Sequence, residues 1–110
     1  MNRSKLNQLL VLMVMMVLAG QVHAQNLFGD PPCADWPEIQ SASKLAWLNA
    51  FLAPLNMATL TRKKTLEDKF SKLPSLSPAL LSVDAFCVVH PGRHASEGAV
   101  VFLDELNAAP

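Results

Sequence analysis

The chain has 110 residues, with nine Lys and Arg balanced by nine Asp and Glu. That length excludes multidomain architectures and large enzymes. The balance leaves no basic excess of the kind that binds a phosphate backbone, so nucleic acid is not an expected partner.

The N-terminus carries Arg3 and Lys5 and then an apolar run from Leu9 to Gly20. A short apolar stretch behind a cationic start is the pattern of a secretory signal peptide, and it falls short of the roughly 20 residues a membrane helix needs. Val22-His23-Ala24 places compact residues at the positions a signal peptidase reads, so cleavage is expected after Ala24, with Ala19 the second choice. No Cys follows the apolar run directly, which argues against a lipid anchor. The expected arrangement is a signal peptide over 1–24 and a single helical domain over 25–110. Its expected compartment is the periplasm, with no stable membrane anchor after cleavage.

The remaining 86 residues carry seven Lys and Arg against nine Asp and Glu, a net charge of −2. A chain of that size supports one small core, marginal without covalent help. It has two cysteines, Cys33 and Cys87. An even count in an exported small domain reads as one disulfide, here closing the 55 residues from Cys33 to Cys87. Loop-closure entropy makes such a bridge worth up to about 4 kcal/mol. A nucleophilic Cys87 beside His90 would instead need a free thiol in an oxidising compartment.

The stretch from Gln25 to Pro37 is Pro-rich and reads as an extended arm. Asp35 is positioned to cap a helix with Pro37 and Glu38 in its first turn, running to Leu52 and breaking before Pro54. Its second half, Leu45 to Leu52, is apolar all round except at Asn49. Such a helix is either central in a core or meets a second partner. A subunit or client-binding face built on Leu45, Trp47, Leu48, Phe51 and Leu52 is therefore one expectation, and simple exposure of the Ala positions is the other. The segment from Asn56 to Leu73 is polar, with a solvated basic run at Arg62-Lys63-Lys64. Thr65 with Asp68 resembles a capping box, followed by a short amphipathic helix through Leu66, Phe70 and Leu73 that Pro74 stops. Ser77-Pro78 is a helix start, with Ser77 as the cap, and His90-Pro91-Gly92 is a stop. A last helix spans Ser96 to Asn107, with Ala95, Ala99, Phe102, Leu103 and Leu106 on one face. The expected fold is all-α, a small bundle of about four helices with one disulfide.

No cofactor or catalytic motif emerges, and the chain is not expected to be an enzyme. Ser41-Ala42-Ser43-Lys44 fits the S-x-x-K nucleophile pattern, but its supporting motifs are absent. His90 and His94 have helical metal-ligand spacing, but Pro91-Gly92 interrupts the helix that would align them. Asp84 falls between Leu80 and Val88 on the wheel of the Pro78–Val89 helix, in the middle of its apolar face. A carboxylate there is either paired or desolvated, and desolvation raises an acid's pKa. Asp84 is the candidate pH-sensing residue.

Together these features resemble the HdeA/HdeB type of periplasmic acid-stress chaperone. The resemblance rests on Cys33-Ala34-Asp35-Trp36, on Ala46-Trp47-Leu48, on Pro78-Ala79-Leu80-Leu81 and on Ala85-Phe86-Cys87-Val88-Val89-His90-Pro91. It implies a small helical protein that is a homodimer near neutral pH. In acid such proteins dissociate, loosen while the disulfide holds, and bind unfolding periplasmic clients through apolar surface, here the Trp47 segment. Protonating all carboxylates and both remaining histidines takes the side-chain charge to +9, and self-repulsion then favours dissociation and loosening. The competing expectations are an immunity or inhibitor protein that blocks one enzyme, and an accessory subunit of an envelope complex.

Overall fold

Every fourth residue along the longest helix is buried: Lys44, Leu48, Leu52 and Asn56. This spacing puts the four side chains in one row along the helix. The row belongs to α1, Ser41–Arg62, in a computed structural model that describes residues 2–11 and 29–110. Two further helices, α2 (Ser77–Val89) and α3 (Ala95–Ala108), pack with it around one core. Residues 3–11 are also helical, and no strand is formed among the described residues. The fold is all-α with one disulfide, as the hydrophobic periodicity and cysteine count predict. The expected signal cleavage site at Ala24 and most of the apolar run lie outside the described residues. Among the described residues no helix is long and apolar enough to cross a membrane.

The first helix departs from expectation at both ends. Pro37 and Glu38 form only a 3-10 turn, Trp36–Glu38, behind Asp35. Ile39 and Gln40 are extended, and α1 begins at Ser41. The break buries Trp36 and lets Ile39 pack on the core. At the other end α1 does not stop before Pro54 but continues through it for two more turns. Pro54 lacks the N–H that would bond the Ala50 carbonyl. Both residues face solvent, where water can satisfy that carbonyl, while Leu52 and Asn56 on the opposite side stay buried. Packing of the buried row outweighs the local break.

The expected amphipathic helix around Leu66–Leu73 is reduced to a 3-10 turn, Phe70–Lys72. Asp68 does not complete a box with Thr65. Its carboxylate accepts instead from the Ser71 backbone N–H at 3.1 Å and from Asn56 at 2.9 Å. At the start of α2 it is Ser75 Oγ that accepts a backbone N–H, from Ser77 at 3.3 Å, and Ser77 is the first helical residue. In α3 the expected face holds: Ala95, Ala99, Phe102 and Leu103 are buried and Leu106 packs against them.

Helices α2 and α3 approach closely because Gly98 faces Phe86. A Cβ on Gly98 would lie 2.9 Å from the Phe86 ring. The Phe86 contact and the bridge at Cys87 set the rotation of α2, so its buried face is Ala79, Val83 and Cys87. The arm joins this hairpin twice. Cys33 is bonded to Cys87. Pro32 also pairs with His94 in a single antiparallel bridge, with Cys33 N–H donating to the Arg93 carbonyl and Ala95 N–H to that of Pro31.

Candidate functional site

The buried row of α1 begins and ends on polar side chains, and each is held by a carboxylate from another part of the chain. At the first end Lys44 Nζ lies 3.2 Å from Asp84 Oδ1 on α2. The same oxygen accepts the Trp36 indole N–H at 2.7 Å. The Lys44 ammonium also sits 5.2 Å from the centre of the Trp36 ring, within cation–π range. The lysine side chain is 10% exposed and the carboxylate 41% exposed. The ammonium is thus taken out of water and compensated, while Asp84 keeps an open side. Asp84 is paired and lies at the edge of the apolar face, not in its middle, because α2 is rotated as described above. Of its expected neighbours, Leu81 and Val88 point to solvent.

At the second end Asn56 is 2% exposed and donates its side-chain N–H to Asp68. Its Oδ1 has no donor among the described residues. Hydrogen bonds from the Asn56 amide and from Ser71 hold the Asp68 carboxyl below the usual aspartate range. Beside it, Lys72 and Glu67 are 2.6 Å apart. The Lys72 hydrogen bond and charge lower the Glu67 carboxyl, and Glu67 in turn raises the Lys72 ammonium.

The expected interface residues divide. Trp47, Leu48 and Leu52 are buried in the chain's own core, while Leu45 and Phe51 are half-buried. In the folded chain Leu48 and Leu52 present no docking surface, while Trp47 keeps one edge open. Trp47 stacks on Phe51 at 5.1 Å with the rings 6° from parallel, meets Trp36 edge-on at 5.6 Å, and donates its indole N–H to the Gly29 carbonyl at 2.6 Å. Between α1 and α3 this aromatic pair lines an open groove of about 650 Å³, with Ala50 and Val100 beside it and Asp30 and Glu97 at its polar end. The exposed apolar side belongs instead to α2. There Leu81 is 69% exposed and Val88 79%.

The remaining candidates are separate. Cys87 is consumed in the disulfide, and the His90 ring packs on Phe86 at 4.7 Å. His94 precedes α3 and donates its backbone N–H to Glu97 at 3.3 Å. Among the described residues no group of three His, Cys, Asp or Glu is placed to hold a metal. Ser41 is exposed at the start of α1, and Lys44 belongs to Asp84.

The sequence reading missed Lys44 and Trp36 as partners of Asp84, and Asn56 as a partner of Asp68. A signal for two of them was present: Lys44 and Asn56 continue the Leu48–Leu52 row in both directions at four-residue spacing. No protein-family model, curated protein or solved structure matches the chain significantly.

Proposed function

We propose that the protein is an exported acid-stress chaperone of HdeA type, which binds unfolding periplasmic clients through apolar surface released at low pH. The observation that carries this reading is the pair of carboxylates, Asp84 and Asp68, that tie the two ends of the buried α1 row to other parts of the chain. In strong acid carboxylates are neutral. Lys44 then keeps its positive charge in a buried site without its counter-charge, an arrangement that strongly disfavours the folded state. Asn56 and Ser71 lose a charged acceptor at the other end. Release of α1 would expose Trp47, Leu48 and Leu52, which it now turns into the core and which are the apolar set best suited to hold a client. The Cys33–Cys87 bond limits how far the loosened chain expands. Near neutral pH the chain is a homodimer in this proposal, and the exposed outer side of α2 supports self-association.

The test is aggregation of an unrelated client with and without the purified protein. Protection is expected at about pH 2.5, well below the ordinary carboxylate range, with little at neutral pH. Light scattering under both conditions should show release of a dimer in acid. Absence of protection at every pH overturns the reading, as does protection unchanged by reducing and alkylating the two cysteines.

A second reading, an immunity or inhibitor protein or an accessory subunit that binds one specific partner, is favoured by the preformed groove between α1 and α3. It requires tight capture of one protein at neutral pH.

A further inference from the structure

The groove between α1 and α3 has an apolar floor and an acidic end. Trp47, Phe51, Ala50 and Val100 supply the floor, and Asp30 and Glu97 the carboxylates. The floor is held in place: the Trp47 indole is tied to Gly29 and stacked on Phe51. The acidic end is held as well. Asp30 accepts the Ser96 hydroxyl at 2.6 Å and the Ser96 backbone N–H at 3.2 Å. Glu97 accepts the His94 backbone N–H at 3.3 Å. These hydrogen bonds fix both carboxylates without neutralising them. Among the described residues the one cation paired with either carboxylate is Arg93, 3.8 Å from Glu97 and largely exposed, which is not part of the lining. Helix α3 has no Lys or Arg along its length. Asp104, one turn beyond Val100, extends the negative charge along the same side of the helix.

We propose that this groove is a docking site, in the folded protein, for a partner segment that presents an apolar side chain beside Lys or Arg. The charge selects the partner. An acidic or neutral apolar segment finds the same floor but meets fixed carboxylates that it cannot pair. A cationic one gains charge-assisted contacts at the exposed end, where salt screens them. This site acts at neutral pH with the core intact, so it goes beyond the acid-triggered reading and stands or falls separately from it.

The probes are two capped tetrapeptides, Lys-Phe-Phe-Lys and Glu-Phe-Phe-Glu, titrated into the purified protein at neutral pH and followed by NMR shift mapping. The Lys peptide is expected to bind saturably, shifting the Trp47 indole and the Val100 amide, with at least tenfold preference over the Glu peptide. Added salt should reduce that preference. Glu97→Gln keeps an acceptor for the His94 N–H and removes the charge, and should weaken the Lys peptide several-fold. Val100→Lys should abolish its binding, while Leu81→Lys on the outer side of α2 should leave it unchanged. An unaltered melt of each variant separates lost binding from lost folding. Equal binding of both peptides, no saturable binding, or shifts centred on Leu81 and Val88 would overturn the proposal. So would contacts from Trp47 to the residues that precede Gly29, or a dimer that Val100→Lys dissolves, since the chain itself would then fill the groove.

Discussion

The Trp36 indole N–H donates to Asp84 at 2.7 Å across 48 residues of sequence, and Lys44 shares the same acceptor oxygen. This one oxygen joins the arm, α1 and α2 next to the disulfide. It also compensates the one buried ammonium among the described residues, that of Lys44.

Asp84→Ala leaves that ammonium without its counter-charge. Because the carboxylate is partly exposed, the loss should be about 1–3 kcal/mol, below the full cost of orphaning a wholly buried charge. Urea unfolding at neutral pH, followed by tryptophan fluorescence, measures it. Lys44→Met combined with Asp84→Leu should regain most of the stability, since apolar replacement of a buried pair is often neutral. A double variant as unstable as the Asp84 variant alone would show that the pair is not what holds this end of α1.

Cleaving Cys33–Cys87 frees the arm from α2 and removes a covalent closure of 54 residues in sequence separation. Stability should fall by about 2–5 kcal/mol, with thermal melts in the presence and absence of a reductant as the check. An unchanged melting temperature would mean that the Pro32–His94 bridge and the core hold the arm unaided.

Gly98→Ala places a methyl 2.9 Å from the Phe86 ring. The contacted atoms include the base of that side chain, so a rotamer change gives little relief. Overpacking of this kind costs about 1–3 kcal/mol. Phe86→Leu in the Gly98→Ala background should restore part of the loss, and a melt of the double variant decides.

Pro54→Ala has the opposite sign. It restores a backbone N–H for the exposed Ala50 carbonyl inside a continuous helix. A gain of about 1–2 kcal/mol is expected, reduced by the extra freedom of the unfolded chain. Chemical denaturation of this variant beside the parent protein measures it. A loss of stability would show that the restriction Pro54 places on the unfolded chain outweighs the restored hydrogen bond.

Asp68 makes the connection after α1 acid-sensitive. Its folded carboxyl lies below the ordinary value of 3.8 because Asn56 and Ser71 donate to it. A depressed acid contributes stability above its unfolded value and loses it as the pH falls through the lower folded value. Glu67 behaves in the same direction. Lys72 has the reverse sign: its raised folded value contributes below 10.5 and is lost as the pH rises through that folded value. The Ser71 amide and the Asn56 side-chain amide should shift together on acidification, with a midpoint below that of a free aspartate. Asp68→Ala should remove this transition. A midpoint at or above the ordinary value would contradict the pairing.

Sequence periodicity alone determined that the chain is helical, where α2 and α3 lie, and which side of α3 is buried. It did so because Ala95, Ala99, Phe102 and Leu103 repeat at helical spacing and Pro and Gly mark the ends. The cysteine count determined the Cys33–Cys87 bond, since only one intramolecular pairing exists. Local signals failed where a distant partner outweighed them. Pro54 reads as a stop, yet burial of Leu52 and Asn56 carries α1 past it. The stretch after Thr65 reads as a helix, yet Asp68 is drawn to Asn56. Leu45 to Leu52 reads as the all-apolar surface, yet Trp47, Leu48 and Leu52 lie inside, and α2 carries the exposed stripe. Tertiary structure also decided the partners of Asp84. A wheel places its carboxylate on a face, but Gly98 against Phe86 sets how far that face is turned, and so brings Asp84 to Trp36 and Lys44. Charge counting gave a chain neutral as a whole, slightly acidic after the expected cleavage and cationic in acid. Only packing shows which two of its carboxylates hold the ends of the buried row of the long helix, because that depends on groups 12 and 40 residues away in sequence.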